Sequence, residues 1–481
     1  MLSVTAIETS GADETYQWDK ITGADGFERV TLFQHADAQK LPAREVAHQL
    51  ALALEKIQPA VVMIPGWSDS AALGALRWCL EHGVPAICMS ESTAGDETRR
   101  VWREAVKRQI VRLCSAALAG GTPHGDYLVQ LGLPAERVFL GYDAVDNAYF
   151  AAGAAKWQKQ KAEKQKAEIF KSGVGSQKVE SRTWETNNTS PRPSPQSGEG
   201  EATAEKTPTL KVETGNAKAE TLKPESRNGE GENGKQKIEK RNAFQLSTLP
   251  ISAFQNSPFF LASARFIEKK NLIRLIEAYA RYRQKAETLK TENLKSKPEL
   301  GSQQSVVSSS VVPWSLVVLG DGALRSSLES QVSSLGLADF VRMPGFKQYP
   351  ELPAYYAHAG AFIHASTTEQ WGLVVNEAMA SGLPVLVSNR CGCAQDLVQD
   401  GVNGFTFDPY NVEQLAQLML RISDFRFPIS DFGQASQRLI ANWGPARFAE
   451  GLKQAVECAL KVGPVKPSFV QRLILKALLW K

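Results

Sequence analysis

The run Ser366-Thr-Thr-Glu-Gln-Trp-Gly-Leu-Val-Val-Asn-Glu-Ala-Met-Ala-Ser-Gly-Leu-Pro384 decides how this chain is read. An apolar stretch, Ala361 to Ala365, precedes it, and another, Val385 to Ser388, follows. Short apolar runs on either side of a loop and a helix-compatible segment read as strand, loop, helix, strand. The loop carries Glu369, and the second turn of the helix carries Glu377. Gly372, Leu373 and Val374 open the helix. The first backbone N–H groups of a helix have no internal partner, and the helix dipole favours an anion there. The segment therefore offers a site the size of a phosphate, with a carboxylate on either side. Carboxylates accept hydrogen bonds only, so they suit ligands that bring hydroxyl donors, as sugars do.

The chain has 481 residues, 43% hydrophobic and 22% charged, which is length for two or three domains with cores of their own. A formal net charge of +4 is weak for a nucleic-acid binder, and no nucleic-acid partner is expected. No apolar run approaches the roughly 20 residues that span a bilayer. No basic-then-apolar leader opens the chain, so a cytoplasmic protein that touches at most a membrane surface is expected. Six cysteines in apolar surroundings do not make a disulfide framework. Cys391-Gly-Cys393 supplies only two metal ligands, no nearby pair completes four, and it reads as a plain loop.

Residues 1–155 read as a globular domain of alternating strands and helices. Ala60–Ile64, Val84–Met89, Cys114–Ala119 and Val138–Leu140 are strands, with helices over Ala71–His82 and Asp96–Leu113. From Lys156 to about residue 252 large apolar residues nearly vanish, and Lys, Glu, Ser, Thr, Asn, Gly and Pro take over. Such a segment buries too little surface to offset its ordering entropy, and a disordered insertion is expected. Lys218-Ala-Glu-Thr-Leu-Lys223 recurs as Lys285–Lys290, inside a second low-complexity stretch read as an insertion over 284–311. A second strand-and-helix domain runs over 253–440: strands Phe259–Ser263, Trp314–Leu319 and Phe340–Met343, helices Leu272–Tyr282, Ala323–Leu335 and Leu352–Ala359. Residues 441–481 read as C-terminal helices crossing back to the first domain. The fold class is α/β: two doubly wound domains with parallel sheets, facing a cleft at the carboxyl ends of their strands.

A second group complements the glutamates. The strand Phe259–Ser263 is followed by Ala264-Arg265-Phe-Ile-Glu-Lys-Lys270-Asn271. Arg265 and Lys270 can both point at the sheet's carboxyl edge, the first as a fork for phosphate oxygens and the second as a point charge. Taken alone they read better as a solvated basic loop. The anion-ready helix start at the same edge favours an anion site.

These features together resemble the nucleotide-binding domain of the retaining family-4 glycosyltransferases. The resemblance covers Phe259 to about Leu420. It is carried by Arg265…Lys270-Asn271, Gly320-Asp-Gly322, Pro344-Gly345-Phe346, Glu369-Gln-Trp-Gly-Leu-Val-Val-Asn-Glu377-Ala and Gly401-Val-Asn-Gly404. It implies a glycosyltransferase type B fold of two Rossmann-like domains. By carry-over, Arg265 and Lys270 would bind the donor's diphosphate and stabilise the leaving charge. Glu369 would contact hydroxyls of the transferred sugar, and these three are the catalytic candidates. Gly372, Leu373 and Val374 would give N–H groups to phosphate, Glu377 would accept from the ribose, and Gly345 and Phe346 would border the base. Trp371 reads either as packing under the loop or as a site residue. The chain has no Asp-x-Asp to hold a metal on the diphosphate, so neither metal nor cofactor is expected.

The first domain resembles the acceptor-side domain of the same family less specifically, through Pro65-Gly66-Trp67, Ser90-Glu91-Ser92, Trp102-Arg-Glu104…Lys107-Arg108, Gly121-Thr-Pro-His124 and Gly141-Tyr-Asp143…Asp146-Asn147. Glu91 and His124 are the candidates for acceptor contacts, with a local hydrogen bond the plainer reading of His124. Set against the family, Met1 to Ile7 looks like the second strand. The first strand and its glycine-rich loop are expected to be missing, through a misassigned start or a truncation. The C-terminal Phe469–Lys481 is apolar and basic, and reads as a surface-lying membrane helix or a packed crossing helix. The expected activity is transfer of a sugar from a nucleotide-diphosphate donor to a hydroxyl acceptor, whether polysaccharide, lipid or small molecule, with retention of configuration. A sugar-nucleotide epimerase and an inactive nucleotide-sugar-binding protein are the alternatives.

Overall fold

The computed structural model of the chain describes residues 3–12, 26–37, 41–171, 258–295, 313–424 and 426–479. A parallel strand pair, β1 (Thr5–Ala12) and β2 (Glu28–Asp37), comes first, then helix α1 (Ala43–Ile57). The strands β3 (Val62–Pro65), β4 (Ala86–Ser90), β5 (Ala116–Ala119) and β6 (Val138–Leu140) form a parallel sheet in sequence order. Helices α2 (Ser70–His82), α3 (Val101–Val111) and α4 (Thr122–Gln130) connect them. Their limits are written locally. The Asp69 carboxylate accepts from the Ala72 N–H at 2.9 Å to start α2, and Gly83 ends it in the left-handed region at φ 69°.

Helix α5 (Asn147–Lys171) leads away from this sheet. The second sheet has six parallel strands: β7 (Phe259–Ser263), β8 (Ser315–Leu319), β9 (Val341–Arg342), β10 (Ala361–His364), β11 (Val385–Ser388) and β12 (Gly404–Phe407). The intervening helices are α6 (Leu272–Lys295), α7 (Arg325–Ser334), α8 (Leu352–His358), α9 (Leu373–Ala380) and the short α10 (Ala394–Leu397). In β7, Phe259 and Leu261 enter one core while Phe260 and Ala262 enter the core on the other face. Both faces are covered, which is why the strand reads as an unbroken apolar run. The order is β12-β11-β10-β7-β8-β9. The chain moves outward from β7 to β9, then returns to β10 on β7's other side. The carboxyl ends of β7 and β10 therefore flank the point where the winding reverses, the place where such sheets open a crevice.

After α11 (Val412–Ser423) and α12 (Ile429–Ile440), α13 (Pro445–Val462) lies on the first sheet. There Ala455 and Ala459 are buried with Ile87, Ala116 and Leu118. Helix α14 (Phe469–Leu479) packs on α2 and α3 through the buried Leu475, and the Gln471 amide donates to the Gln109 carbonyl at 3.3 Å.

Several sequence expectations need correction. The low-complexity reading starts at Lys156, but α5 stays helical to Lys171, with Trp157 edge-on to His358 of α8 at 6.1 Å. The second insertion starts not at Gln284 but beyond α6, whose Ala286 is fully buried and whose Lys285 pairs with Glu413 of α11 at 2.9 Å. Runs of Ala, Lys, Gln, Glu and Leu are strong helix formers, and a helix docked by one narrow stripe keeps a mostly polar composition. The rest of both stretches, 172–252 and 296–311, lies outside the described residues. Helix α3 begins at Val101 rather than Asp96, because the Asp96 carboxylate ties the preceding loop, accepting from the Thr93 N–H at 3.1 Å and pairing with Arg99. The opening strand β1 pairs with β2, outside the four-stranded sheet.

Candidate active site

The loop after β7 is pinned to the loop after β10. Asn271 adopts the left-handed conformation at φ 58°, which asparagine tolerates better than most side chains. Its buried amide donates to the carbonyls of Ala365 at 3.0 Å and Pro409 at 2.8 Å. The Thr367 N–H donates to the Lys269 carbonyl at 2.9 Å. These bonds deliver Lys270 to Glu369, and its ammonium donates to Glu369 Oε2. Both side chains are largely buried, 12% and 13% exposed. Ser366 Oγ donates to the same oxygen at 3.2 Å, and His364 Nε2 lies 3.3 Å from it. Burial pushes the Glu369 carboxyl up, but His364 and Lys270 outweigh it and hold the group well below the usual carboxylate range. Burial keeps His364 below its ordinary value despite Glu369, so it is a neutral imidazole giving Nε2–H, and Lys270 carries the opposing charge.

Gly372, at φ 105° and ψ 60°, caps the start of α9. That backbone suits glycine, and a Cβ would come within 3.3 Å of His364 Nε2. The Val375 N–H folds back to the Gly372 carbonyl at 2.8 Å, while the N–H groups of Gly372, Leu373 and Val374 have no acceptor among the described residues. One turn further along α9, Glu377 is buried and accepts from the Tyr356 hydroxyl of α8 at 2.7 Å. Burial pushes its carboxyl up to about 7, with Tyr356 opposing. Arg265 is exposed in the loop after β7, and no hydrogen bond or ion pair holds its guanidinium among the described residues. Gly345, at φ 82°, and the half-buried Phe346 lie in the loop after β9, and the Gly345 carbonyl accepts from the Gly320 N–H at 3.0 Å. Lys270, Glu369 and the α9 start thus form one cluster at the winding reversal. Arg265 stands in the same loop as Lys270, Gly345 and Phe346 occupy the loop after β9 at the same sheet edge, and Glu377 sits behind.

The first sheet meets this cluster directly. Thr368 Oγ1 donates to the Asp96 carbonyl at 3.1 Å. Thr122, at the start of α4, gives its N–H and hydroxyl to the Asp396 carboxylate of α10 at 2.8 and 2.5 Å. Both ring nitrogens of His124 are engaged: Nδ1 accepts from the Gly121 N–H at 3.1 Å, and Nε2 donates to the Gln370 carbonyl at 2.8 Å. Burial lowers His124 below its ordinary value, consistent with this neutral tautomer. The reading of His124 as an acceptor contact gives way to a structural one. Trp371 packs too, its indole N–H on Asn376 Oδ1 at 2.9 Å and its ring 5.1 Å from that of Trp443. Glu91, after β4, is raised by burial and by the nearness of Glu369. Asp143, after β6, is buried with no partner for Oδ2 among the described residues, and burial and then Glu91 push it up to about 8. Cys391 and Cys393 are free, buried thiols.

Sequence reasoning missed His364, Ser366, Tyr356 and Asp396 as site residues, and named Asp143 only as a landmark of the first domain. His364 ends the apolar stretch just before the run that decides the reading and Ser366 opens that run, but a strand buried on both faces has no alternation to mark that His364 turns toward the site. Tyr356 is 21 positions from Glu377, and no local signal links them.

Residues 250–435, the part of the molecule built on the second sheet, match the family described as glycosyl transferases group 1. Among curated relatives, α-monoglucosyldiacylglycerol synthase of Acholeplasma laidlawii is 34% identical over 107 residues, 22% of this chain and 26% of the relative. D-inositol 3-phosphate glycosyltransferase of Thermobispora bispora is 30% identical over 151 residues, 30% of this chain and 35% of the relative. The chain thus spans about a quarter to a third of the length of these relatives. Anabaena HepE in complex with UDP is 16% identical with a TM-score of 0.54, over 95% of this chain and 100% of that one. Sucrose-phosphate synthase from Thermosynechococcus elongatus is 15% identical with a TM-score of 0.56, over 94% of this chain and 87% of that one. The fold is therefore that of the type B glycosyltransferases, two Rossmann-like units facing a cleft.

Proposed function

We propose that the protein is a glycosyltransferase that moves a sugar from a nucleotide-diphosphate donor to a hydroxyl acceptor with retention of configuration. The observation that carries this reading is the meeting of Lys270, Glu369 and the open N–H groups of Gly372 to Val374 at the winding reversal of the second sheet. A diphosphate there would be neutralised by Lys270, by Arg265 from the same loop and by the helix start. Glu369, held ionised, would accept from hydroxyls of the transferred sugar. Glu377 would take the ribose hydroxyls, and the Gly345-Phe346 loop would border the base. The acceptor hydroxyl attacks the anomeric carbon on the face the diphosphate leaves. The bond from that carbon to phosphate oxygen breaks as the new glycosidic bond forms, and the leaving phosphate oxygen takes the acceptor's proton. Arg265 and Lys270 stabilise the charge developing on that oxygen, and no side chain serves as nucleophile.

The test is calorimetry with UDP- and GDP-sugars on the wild-type chain and on Lys270→Ala. Removing one partner from a buried charge contact costs about 2–5 kcal/mol, so donor affinity is expected to fall roughly thirtyfold or more. Unchanged affinity in a variant that still melts cooperatively would overturn the assignment. Incubation with radiolabelled donor and a lipid extract then separates transfer, epimerised donor and binding alone.

A further inference from the structure

We propose that the outer face of α14 seats the protein on an anionic lipid surface. The inner face of this helix is spoken for: Leu475 is buried, and Ile474, Leu478 and Leu479 pack on the first sheet's core. On the outer face Phe469, Val470 and Leu473 are 75%, 57% and 51% exposed. At about 100° per residue, Phe469, Leu473, Ala477 and Val470 fall in one stripe, and Arg472 and Lys476 run along its edge. From Cys458 to Lys481 the chain carries Lys461, Lys466, Arg472, Lys476 and Lys481 and no acidic residue. A cavity of about 580 Å³ between α2 and α14 adds Arg77 to the cationic edge, with Glu81 engaged by Arg77 at 2.7 Å.

Large apolar side chains adjoining one another on a surface mark an interaction site. The charge beside them selects the occupant. A second copy docked by two-fold symmetry would set Arg472 and Lys476 against themselves, which is repulsive. An anionic bilayer satisfies both halves of the face at once. The apolar stripe enters the acyl boundary, and the cations meet the headgroups. Each Lys or Arg near such a surface raises partitioning roughly fivefold. This surface lies on the first sheet's flank and does not depend on the donor site.

Flotation of the full chain with vesicles of pure phosphatidylcholine, and of equal parts phosphatidylcholine and phosphatidylglycerol, tests it. The wild type is expected to float with the anionic vesicles only. Binding should weaken as salt rises from about 0.1 M to about 1 M, where the screening length shrinks from roughly 10 Å to 3 Å. The double variant Arg472→Glu, Lys476→Glu and the single variant Leu473→Asp should each lower partitioning about tenfold or more. Donor affinity should stay unchanged in both, and melting temperature in Leu473→Asp, whose side chain is exposed and lies outside the cavity that Arg472 and Lys476 line. The proposal falls if the wild type stays unbound, or if either variant floats as well as it does. It also falls if sedimentation reveals a dimer that both variants dissolve, which would give the face to a second copy.

Discussion

Glu369 and Glu377 share one loop and helix, yet their surroundings drive them in opposite directions. His364 and Lys270 hold Glu369 ionised, while Glu377 meets a phenol and, among the described residues, no cation that offsets its burial. The consequence for stability follows from linkage. The folded Glu377 carboxyl, raised from 4.5 to about 7, holds its proton more tightly than the unfolded one. Its contribution is full below pH 4.5, declines as pH rises, and levels off above about 7. At 1.36 kcal/mol per pH unit, the decline has an upper limit of about 3 kcal/mol. Glu377→Gln keeps an acceptor for Tyr356 and cannot ionise. Thermal melts at pH 5 and pH 8 are expected to show a smaller loss of stability in this variant than in the wild type. Equal losses would show that Glu377 is not the titrating group.

Among the elements, those that build the crevice were the most legible. The apolar runs that became β7 and β10, and the glycine that starts α9, stand in the sequence as such, because a doubly buried strand and a helix start each leave a local mark. The ends of α5 and α6 were not legible, because composition reports what faces water and is blind to a single docked side chain. Ala286 makes this testable. It is wholly buried in a stretch that reads as spacer, and Leu289, three positions on, is 36% exposed. Ala286→Asp buries an unpaired charge, and urea unfolding is expected to show a loss of about 2–4 kcal/mol. Leu289→Ala should change stability by about 1 kcal/mol at most. If both are neutral, the helix does not dock where the structure has it.

At the scale of the whole molecule, contacts between the sheets were invisible in the sequence, since Thr122 and Asp396 lie 274 positions apart. Asp396 does for α4 what an N-terminal capping residue does, from the opposite unit. Asp396→Ala is expected to cost about 0.5–2 kcal/mol in thermal melts, the value of a lost cap. No change would mean that water replaces the carboxylate freely. The two connections between the sheets touch one another: Asn147, where α5 departs, donates to the Ile440 carbonyl at 2.8 Å, and a Cβ on Gly444, where α13 returns, would sit 2.9 Å from its amide nitrogen. Outgoing and incoming chain thus cross at one spot, while Thr122, His124 and Thr368 fasten the molecule elsewhere. Access to Glu369 from the side of the first sheet therefore requires those bonds to part, while the crossing can stay as it is.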